Sequence, residues 1–140
     1  MTEPRIQYVT TADGVSIAYS TIGEGPPLVR VPALPVSHLR LVWQAEFARE
    51  VLGGLAQGRT YVSYDARGFG LSQRDVTDFS LDKLVLDLEA VVDHLGFAKF
   101  QMMTTGIAIP VAMAYAAAHA DRVSHLVLSA YASAEGVPEE

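Results

Sequence analysis

Segments typical of strands and segments typical of helices alternate along most of this chain. The strand-like segments are residues 28–31, 60–64, 97–103 and 123–130, and the helix-like segments between them are residues 38–56, 80–96 and 107–119. A strand, a helix and a further strand in succession place the two strands parallel, with the helix covering one face. The alternation therefore predicts an α/β fold with a mainly parallel sheet and helices on both faces.

The first 20 residues predict an antiparallel hairpin in front of this alternation. Arg5 to Val9 is typical of a short strand, Asp13-Gly14 is a turn signal, and residues 15–20 alternate apolar and polar side chains. The last strand-like segment differs, because Leu126-Val127-Leu128 lacks alternation. Such a run favours a strand that is buried on both faces.

The composition excludes several classes of protein. Half of the 140 residues are hydrophobic, which excludes intrinsic disorder and indicates one domain over residues 1–140, with a flexible tail at 133–140. A net charge of −6 argues against a nucleic-acid partner. The absence of cysteine excludes disulfides and thiolate chemistry and is compatible with the cytoplasm. We expect no signal peptide, no membrane span, no metal and no cofactor.

A glycine-rich loop follows the strand at 60–64 and is the most specific motif. It reads Asp65-Ala66-Arg67-Gly68-Phe69-Gly70-Leu71-Ser72. Aspartate caps turns and glycine allows backbone conformations closed to other residues, so a structural loop is the simplest interpretation. The alternative is a dinucleotide-binding fingerprint, but Gln73 stands where its third glycine belongs.

From Ile6 to Ala130 the sequence resembles the N-terminal half of an α/β-hydrolase. The resemblance rests on the Asp-x-Arg-Gly-x-Gly-x-Ser loop and on the segment from Ala114 through Leu128. Further segments are similar to hydrolase-like domains found beside adenylate-cyclase or LuxR-type regulatory domains of bacteria. These segments are Arg5-Ile6-Gln7-Tyr8, residues 11–18, residues 23–29 and residues 75–82.

The resemblance places the nucleophile of the family at a residue without a side chain. In the family the nucleophile occupies a sharp turn from strand to helix, with small residues two positions to either side. Alignment on residues 110–115 puts Gly106 at that position. A register with Thr105 as the nucleophile would put Met103 and Ile107 where small residues are needed, and Ser72 is a further weak candidate. We therefore expect a degenerate nucleophile site.

The other members of a catalytic triad have no convincing candidates. The resemblance places the acid after the sixth or seventh strand and the histidine after the eighth, beyond most of this chain. Glu135 is better explained as a solvated tail residue. Of the four histidines, only His38 is expected near a pocket, and no pair has the spacing of a confident metal site.

A ligand pocket can persist without catalysis. We expect its floor to be surrounded by Leu34, His38, Trp43, Phe69, Gly106 and Ile107. Their apolar side chains, together with nearby helix N-terminal amides, suit a small neutral or weakly anionic ligand. The alternative is that these residues simply fill the core.

Three functional hypotheses follow from the sequence. The favoured one is a catalytically silent module for small-ligand sensing, protein interaction or self-association. The second is an active or composite esterase-like hydrolase that needs residues from another chain or uses an unrecognised catalytic arrangement. The third is an assembly domain with a filled pocket. Because the family fold continues beyond the last strand seen here, we expect that strand to expose an edge. Either further domains of a larger protein or a second copy in a homo-oligomer would cover it.

Overall fold

The structure is a computed structural model that describes residues 2–34 and 37–129. The strands in these residues are β1 (Gln7–Thr10), β2 (Ser16–Ile22), β3 (Pro27–Arg30), β4 (Thr60–Tyr64), β5 (Phe100–Thr105) and β6 (Val123–Ser129). The helices are α1 (Leu39–Gln44), α2 (Glu46–Ala56), α3 (Leu81–His94) and α4 (Ile109–Ala118), and a 3-10 turn, Gly106–Ala108, leads into α4.

The strands form one sheet in the order β1-β2-β4-β3-β5-β6. β1 pairs antiparallel with β2, and β2 pairs antiparallel with β4. The remaining neighbours, β4-β3, β3-β5 and β5-β6, are parallel. The predicted α/β class, the mainly parallel sheet and the N-terminal antiparallel hairpin are confirmed. The carboxyl ends of four parallel strands consequently meet at one edge of the sheet.

Helices cover both faces of the sheet, as expected. On one face Val29, Val62 and Met102 pack with residues of α3 and α4 in the larger apolar core. On the opposite face Leu28 and Tyr61 pack with residues of α1 and α2. Neighbouring residues of a strand point to opposite faces, so the short apolar strands β3 and β4 contribute to both cores.

The helix expected over residues 38–56 is two helices. Ala45 has an extended backbone, with φ −80° and ψ 120°, and it separates α1 from α2. Glu46 then lies in the first turn of α2, where the helix dipole favours a carboxylate. The prediction of a single helix was wrong because apolar spacing continues across this break.

Helix α3 ends close to the predicted residues. Ser80 is the N-cap residue as expected, but its side chain makes no capping hydrogen bond. Gly96, at φ 71°, follows the helix, and the Phe97 amide donates to the carbonyl of Val92 at 3.3 Å. This closure uses residues 97–99, so β5 starts at Phe100 rather than at the predicted residue 97. Pro110 lies in the first turn of α4, as predicted.

The expectation that β6 is buried on both faces was wrong. Its apolar side chains are exposed, with fractions of 36% for Leu126, 54% for Val127 and 40% for Leu128. β6 pairs with β5 alone and lies at the end of the described sheet. The expected exposed edge is therefore present. The tail at 133–140 lies outside the described residues.

Candidate functional site

A sharp bend at Gly106 joins β5 to the helical segment that follows. Thr105 is extended with φ −135°, and Gly106 has φ 57° and opens the 3-10 turn. Backbone at positive φ costs little for glycine and is strained for residues with a β-carbon. The chain thus turns from strand to helix through a residue that presents only hydrogen to its surroundings.

Small buried residues flank the bend on both sides. Thr104 is 2% exposed, and its hydroxyl donates to the Val31 carbonyl at 3.1 Å. Ala108 is completely buried in the larger core. The Val31 amide in turn donates to the carbonyl of Met103 at 2.9 Å. The bend is consequently fixed to the loop after β3, at the carboxyl ends of two neighbouring parallel strands.

The buried carboxylate of Asp65 connects the glycine-rich loop to the segment between β3 and α1 at the same sheet edge. It accepts hydrogen bonds from the Ser37 hydroxyl at 2.6 Å, the Leu39 amide at 3.2 Å and the Leu71 amide at 2.9 Å. Gly70 lies so close that an added β-carbon would come within 2.1 Å of Asp65 Oδ2. These contacts support the structural interpretation of the glycine-rich loop.

Ser72 has a structural position in that loop. It is 4% exposed, and its hydroxyl donates to the Asp65 carbonyl and accepts from the Ala18 amide at 2.9 Å. Both hydrogen-bonding functions of the hydroxyl are used within the fold. Ser72 is therefore not presented to a substrate.

Arg67 forms a buried ionic cluster behind the loop. It is 2% exposed, and its guanidinium lies 2.7 Å from Asp13 Oδ2 and 2.8 Å from Asp87 Oδ1. Burial would lower the pKa of Arg67, but the hydrogen bonds that it donates to the two carboxylates raise that pKa above its ordinary value. Hydrogen bonds from Arg67 and then Thr11 hold the pKa of Asp13 well below its usual range.

The histidines among the described residues have local partners. The Nδ1 atom of His38 caps α1 by accepting from the Leu41 amide at 3.3 Å. His94 packs edge-on against Tyr19, and the ring of His119 lies 4.6 Å from that of Tyr115. His125 lies beside Ser124 on exposed β6. Glu135 falls outside the described part of the chain.

A cavity of about 230 Å³ lies between the sheet and the α1–α2 helices. Two of the six predicted pocket residues, His38 and Trp43, line it, and so does the weak nucleophile candidate Thr105. Phe69 lines a neighbouring open depression together with His38. The structure places Leu34, Gly106 and Ile107 outside the lining of both, and Ile107 is 69% exposed.

The polar residues of the cavity wall were missed by the sequence analysis. Arg30 on β3, Ser63 on β4 and Ser20 on β2 line the cavity together with Asp65. The available signal was a polar residue inside an otherwise apolar strand, as in Leu28-Val29-Arg30-Val31 and Tyr61-Val62-Ser63-Tyr64. A strand covered on both faces by helices normally carries apolar side chains at such positions.

Two negative findings concern the described residues alone. Nowhere in residues 2–34 and 37–129 do three or more acidic or histidine side chains group as a metal site would require. Within the same ranges, no helix is both long enough and apolar enough to cross a bilayer.

Comparison with known proteins identifies the family of this chain. Residues 26–138 match the family described as the alpha/beta hydrolase fold. The sheet order, the strand–glycine–helix bend and this match agree. The chain belongs to the α/β-hydrolase fold family.

Curated relatives include hydrolytic enzymes. The chain is 33% identical over 87 residues to a soluble epoxide hydrolase of Corynebacterium sp. (strain C12), which is 62% of this chain and 28% of that protein. It is 31% identical over 113 residues to haloalkane dehalogenase 2 of Mycobacterium tuberculosis, covering 80% of this chain and 37% of the relative. The chain thus spans well under half the length of these relatives.

Solved structures show the same fold at lower identity. Cfl2 from Burkholderia cenocepacia superposes with a TM-score of 0.77 at 24% identity, over 99% of this chain and 47% of that one. An epoxide hydrolase from Vigna radiata gives a TM-score of 0.76 at 20% identity, over 91% and 40% of the two chains.

Proposed function

We propose that this chain is a catalytically silent α/β-hydrolase-like module that senses a small ligand or mediates protein interaction. The observation that carries the proposal is Gly106 at the bend between β5 and α4, with φ 57°. Covalent catalysis in hydrolases of this family needs an attacking side chain at that turn. Glycine preserves the turn and supplies no attacking atom.

Gly106 occupies the position of the family's nucleophile. Buried Thr104 and Ala108, two positions before and after Gly106, support the alignment of this turn with the family's nucleophile turn. Epoxide hydrolysis and haloalkane dehalogenation, which the names of the curated relatives state, are therefore not assigned to this chain.

An active or composite esterase-like hydrolase is the alternative. Thr105 would have to be its nucleophile, since Ser72 is bonded within the fold. Thr105 lies in extended backbone one residue before the bend. Among the described histidines, no ring nitrogen is hydrogen-bonded to Thr105, and His38 is used as a helix cap. The positions of these groups favour the silent module.

A ligand-sensing role needs space, and the cavity beside Trp43 supplies it. Its volume of about 230 Å³ suits a small molecule, and Trp43 and Leu52 give it apolar walls. The cavity weighs against the hypothesis of a filled assembly domain.

An interaction role is supported by the exposed edge of β6. Leu126, Val127 and Leu128 are exposed there, and unpaired strand edges recruit further strands. We expect a second copy of this chain to cover the edge in a homo-oligomer. The cytoplasmic location, with which the absence of cysteine is compatible, and the attachment to bacterial regulatory domains, which the sequence resemblance suggested, are proposals of the same kind.

A turnover assay tests the proposal. The protein is incubated with an ester, an epoxide and a haloalkane. We expect no hydrolysis above the buffer rate. Protein-dependent hydrolysis that Thr105→Ala abolishes would overturn the proposal and establish the alternative.

A further inference from the structure

A polar row crosses the sheet underneath the α1–α2 helices. Ser20 on β2 pairs in register with Ser63 on β4, and Ser63 pairs with Arg30 on β3. Residues directly opposite in paired strands point to the same face of a sheet. With neighbouring strands about 4.8 Å apart, the three residues span roughly 10 Å. All three line the cavity.

The polar groups of this row have no protein partner in the described part of the chain. Within residues 2–34 and 37–129, neither the Arg30 guanidinium nor the hydroxyls of Ser20 and Ser63 form a side-chain hydrogen bond or ion pair. Ser20 is 6% exposed, and Arg30 and Ser63 are half-buried. Tyr61, which also lines the cavity, has a buried hydroxyl without a partner in the described residues.

Among the described residues, Asp65 is the one carboxylate that lines the cavity, and it forms no ion pair with Arg30. Asp65 accepts hydrogen bonds from Ser37, Leu39 and Leu71 instead. A half-buried guanidinium with two hydroxyls beside it on the same face of the sheet offers several hydrogen-bond donors to an anion. The arrangement therefore favours an anionic ligand.

We propose that this cavity binds a small carboxylate with an apolar body. The carboxylate accepts hydrogen bonds from the Arg30 guanidinium and from the Ser20 and Ser63 hydroxyls, and the apolar body lies against Trp43, Leu52 and Ile22. Planar carboxylates match the fork of arginine donors. A phosphate carries more charge than one guanidinium balances, and a neutral ligand leaves Arg30 unpaired. This inference rests on the proposed ligand-sensing function and names its ligand class.

Trp43 provides a direct readout, because it lines the cavity and is the sole tryptophan of the 140 residues. Hexanoate and the uncharged hexanamide are titrated into the protein at constant ionic strength, and the fluorescence of Trp43 is followed. We expect saturable binding of hexanoate and at least about tenfold weaker binding of hexanamide, as loss of a charge-assisted contact implies.

Arg30→Met removes the charge and keeps an unbranched apolar side chain. We expect it to weaken hexanoate binding about tenfold or more and to leave hexanamide binding unchanged. Arg59→Met, at an exposed arginine outside the cavity lining, is the matched control for net charge and should bind hexanoate as the wild type does. Ser20→Ala/Ser63→Ala is a second test variant that keeps Arg30, and it should also weaken hexanoate binding.

The outcomes separate this inference from the proposed function. Equal binding of hexanoate and hexanamide, or an unchanged affinity in both Arg30→Met and Ser20→Ala/Ser63→Ala, overturns the carboxylate assignment while ligand sensing stands. If neither hexanoate nor hexanamide binds, the proposed carboxylate site is overturned. Hydrolytic turnover by the wild type, measured separately, overturns the silent module and leaves the carboxylate result unaffected.

Discussion

The hydroxyl of Thr104 donates to the carbonyl of Val31 at 3.1 Å and connects the end of strand β5 to the loop after β3. Both residues are buried, and the amide of Val31 returns a hydrogen bond to Met103 in the same strand. The bend at Gly106 therefore sits on a rigid base. The turn is therefore intact although the residue at its centre, Gly106, has no reactive side chain.

The positive φ of Gly106 predicts the cost of adding a side chain there. We expect Gly106→Ala to lower the free energy of unfolding by about 1–2 kcal/mol, because an L-residue is strained in left-handed backbone. Urea denaturation measures the change. Gly54→Ala is the matched control. Gly54 lies in α2 with open space around it, and alanine there should stabilise the protein by about 0.5–1 kcal/mol. A neutral or stabilising Gly106→Ala would contradict the observed bend.

Two glycines at similar φ separate backbone strain from steric exclusion. Gly70 and Gly58 have φ of 53° and 71°, but an added β-carbon meets Asp65 only at Gly70. We expect Gly58→Ala to cost about 1–2 kcal/mol and Gly70→Ala to cost a further 1–3 kcal/mol or so, since Asp65 must move and lose hydrogen bonds. Equal costs in thermal or urea unfolding would mean that the glycine-rich loop tolerates displacement of Asp65.

Breaking the buried ion pair between Arg67 and Asp87 by removing one partner should cost far more stability than breaking an exposed pair. Removing one partner leaves the other charge buried, so Arg67→Met should cost about 3–5 kcal/mol in urea unfolding. Arg122→Met breaks a more exposed pair, with Asp93 at 2.6 Å, and also removes the hydrogen bond to the Phe97 carbonyl, so it should cost about 1–2 kcal/mol. Equal losses of stability in Arg67→Met and Arg122→Met would contradict the special cost of an unpaired buried charge.

The depressed pKa of Asp13 predicts acid sensitivity. The unfolded chain binds a proton at this carboxyl near its ordinary pKa, whereas the folded protein resists protonation because Arg67 and Thr11 donate to it. The stabilisation is complete above about pH 4 and is lost as the pH falls through the folded-state pKa. Asp13→Asn should therefore be less stable at neutral pH and should show a shallower loss of stability below pH 4 or so than the wild type.

Urea unfolding across a pH series measures this difference. Asp75→Asn, at an exposed aspartate outside the ionic cluster, is the control. Identical pH profiles for the wild type and Asp13→Asn would show that Asp13 does not contribute to the loss of stability in acid.

The exposed apolar residues of β6 predict self-association. We expect sedimentation velocity to show a concentration-dependent dimer and Val127→Lys to shift it to monomer, since charged side chains protect strand edges. Met113→Lys, at an exposed apolar residue of α4, is the matched control and should leave association unchanged. A wild-type monomer over the full dilution series would exclude the homo-oligomer.

The architecture could be predicted from local sequence signals, but the polar residues that line the cavity could not. Alternation of apolar segments predicted the sheet and its helices, and Gly96 and Gly106 marked turns that only glycine adopts easily. The break at Ala45 was missed because no proline or glycine marks it. Arg30 and Ser63 were missed because they become neighbours only when β3 pairs with β4 in the observed register. The sequence alone does not give that register.

Predicted pocket residues failed to converge for a related reason. Phe69 and Trp43 line separate depressions, although both depressions are lined by His38 and Val42, and Ile107 is exposed at the bend. A sequence places loops at the same sheet edge, whereas the side of the sheet to which each side chain points depends on backbone angles. Those angles are set by contacts such as the one between Thr104 and Val31.

Intact-protein mass spectrometry tests the silence of the Gly106 bend most directly. The protein is incubated with ester, epoxide and haloalkane substrates, and the reaction is quenched in acid so that any covalent intermediate is retained. We predict an unchanged protein mass with every substrate. A mass increment equal to the acyl or alkyl group, mapped to the peptide that contains Thr105 and Gly106, would contradict the account.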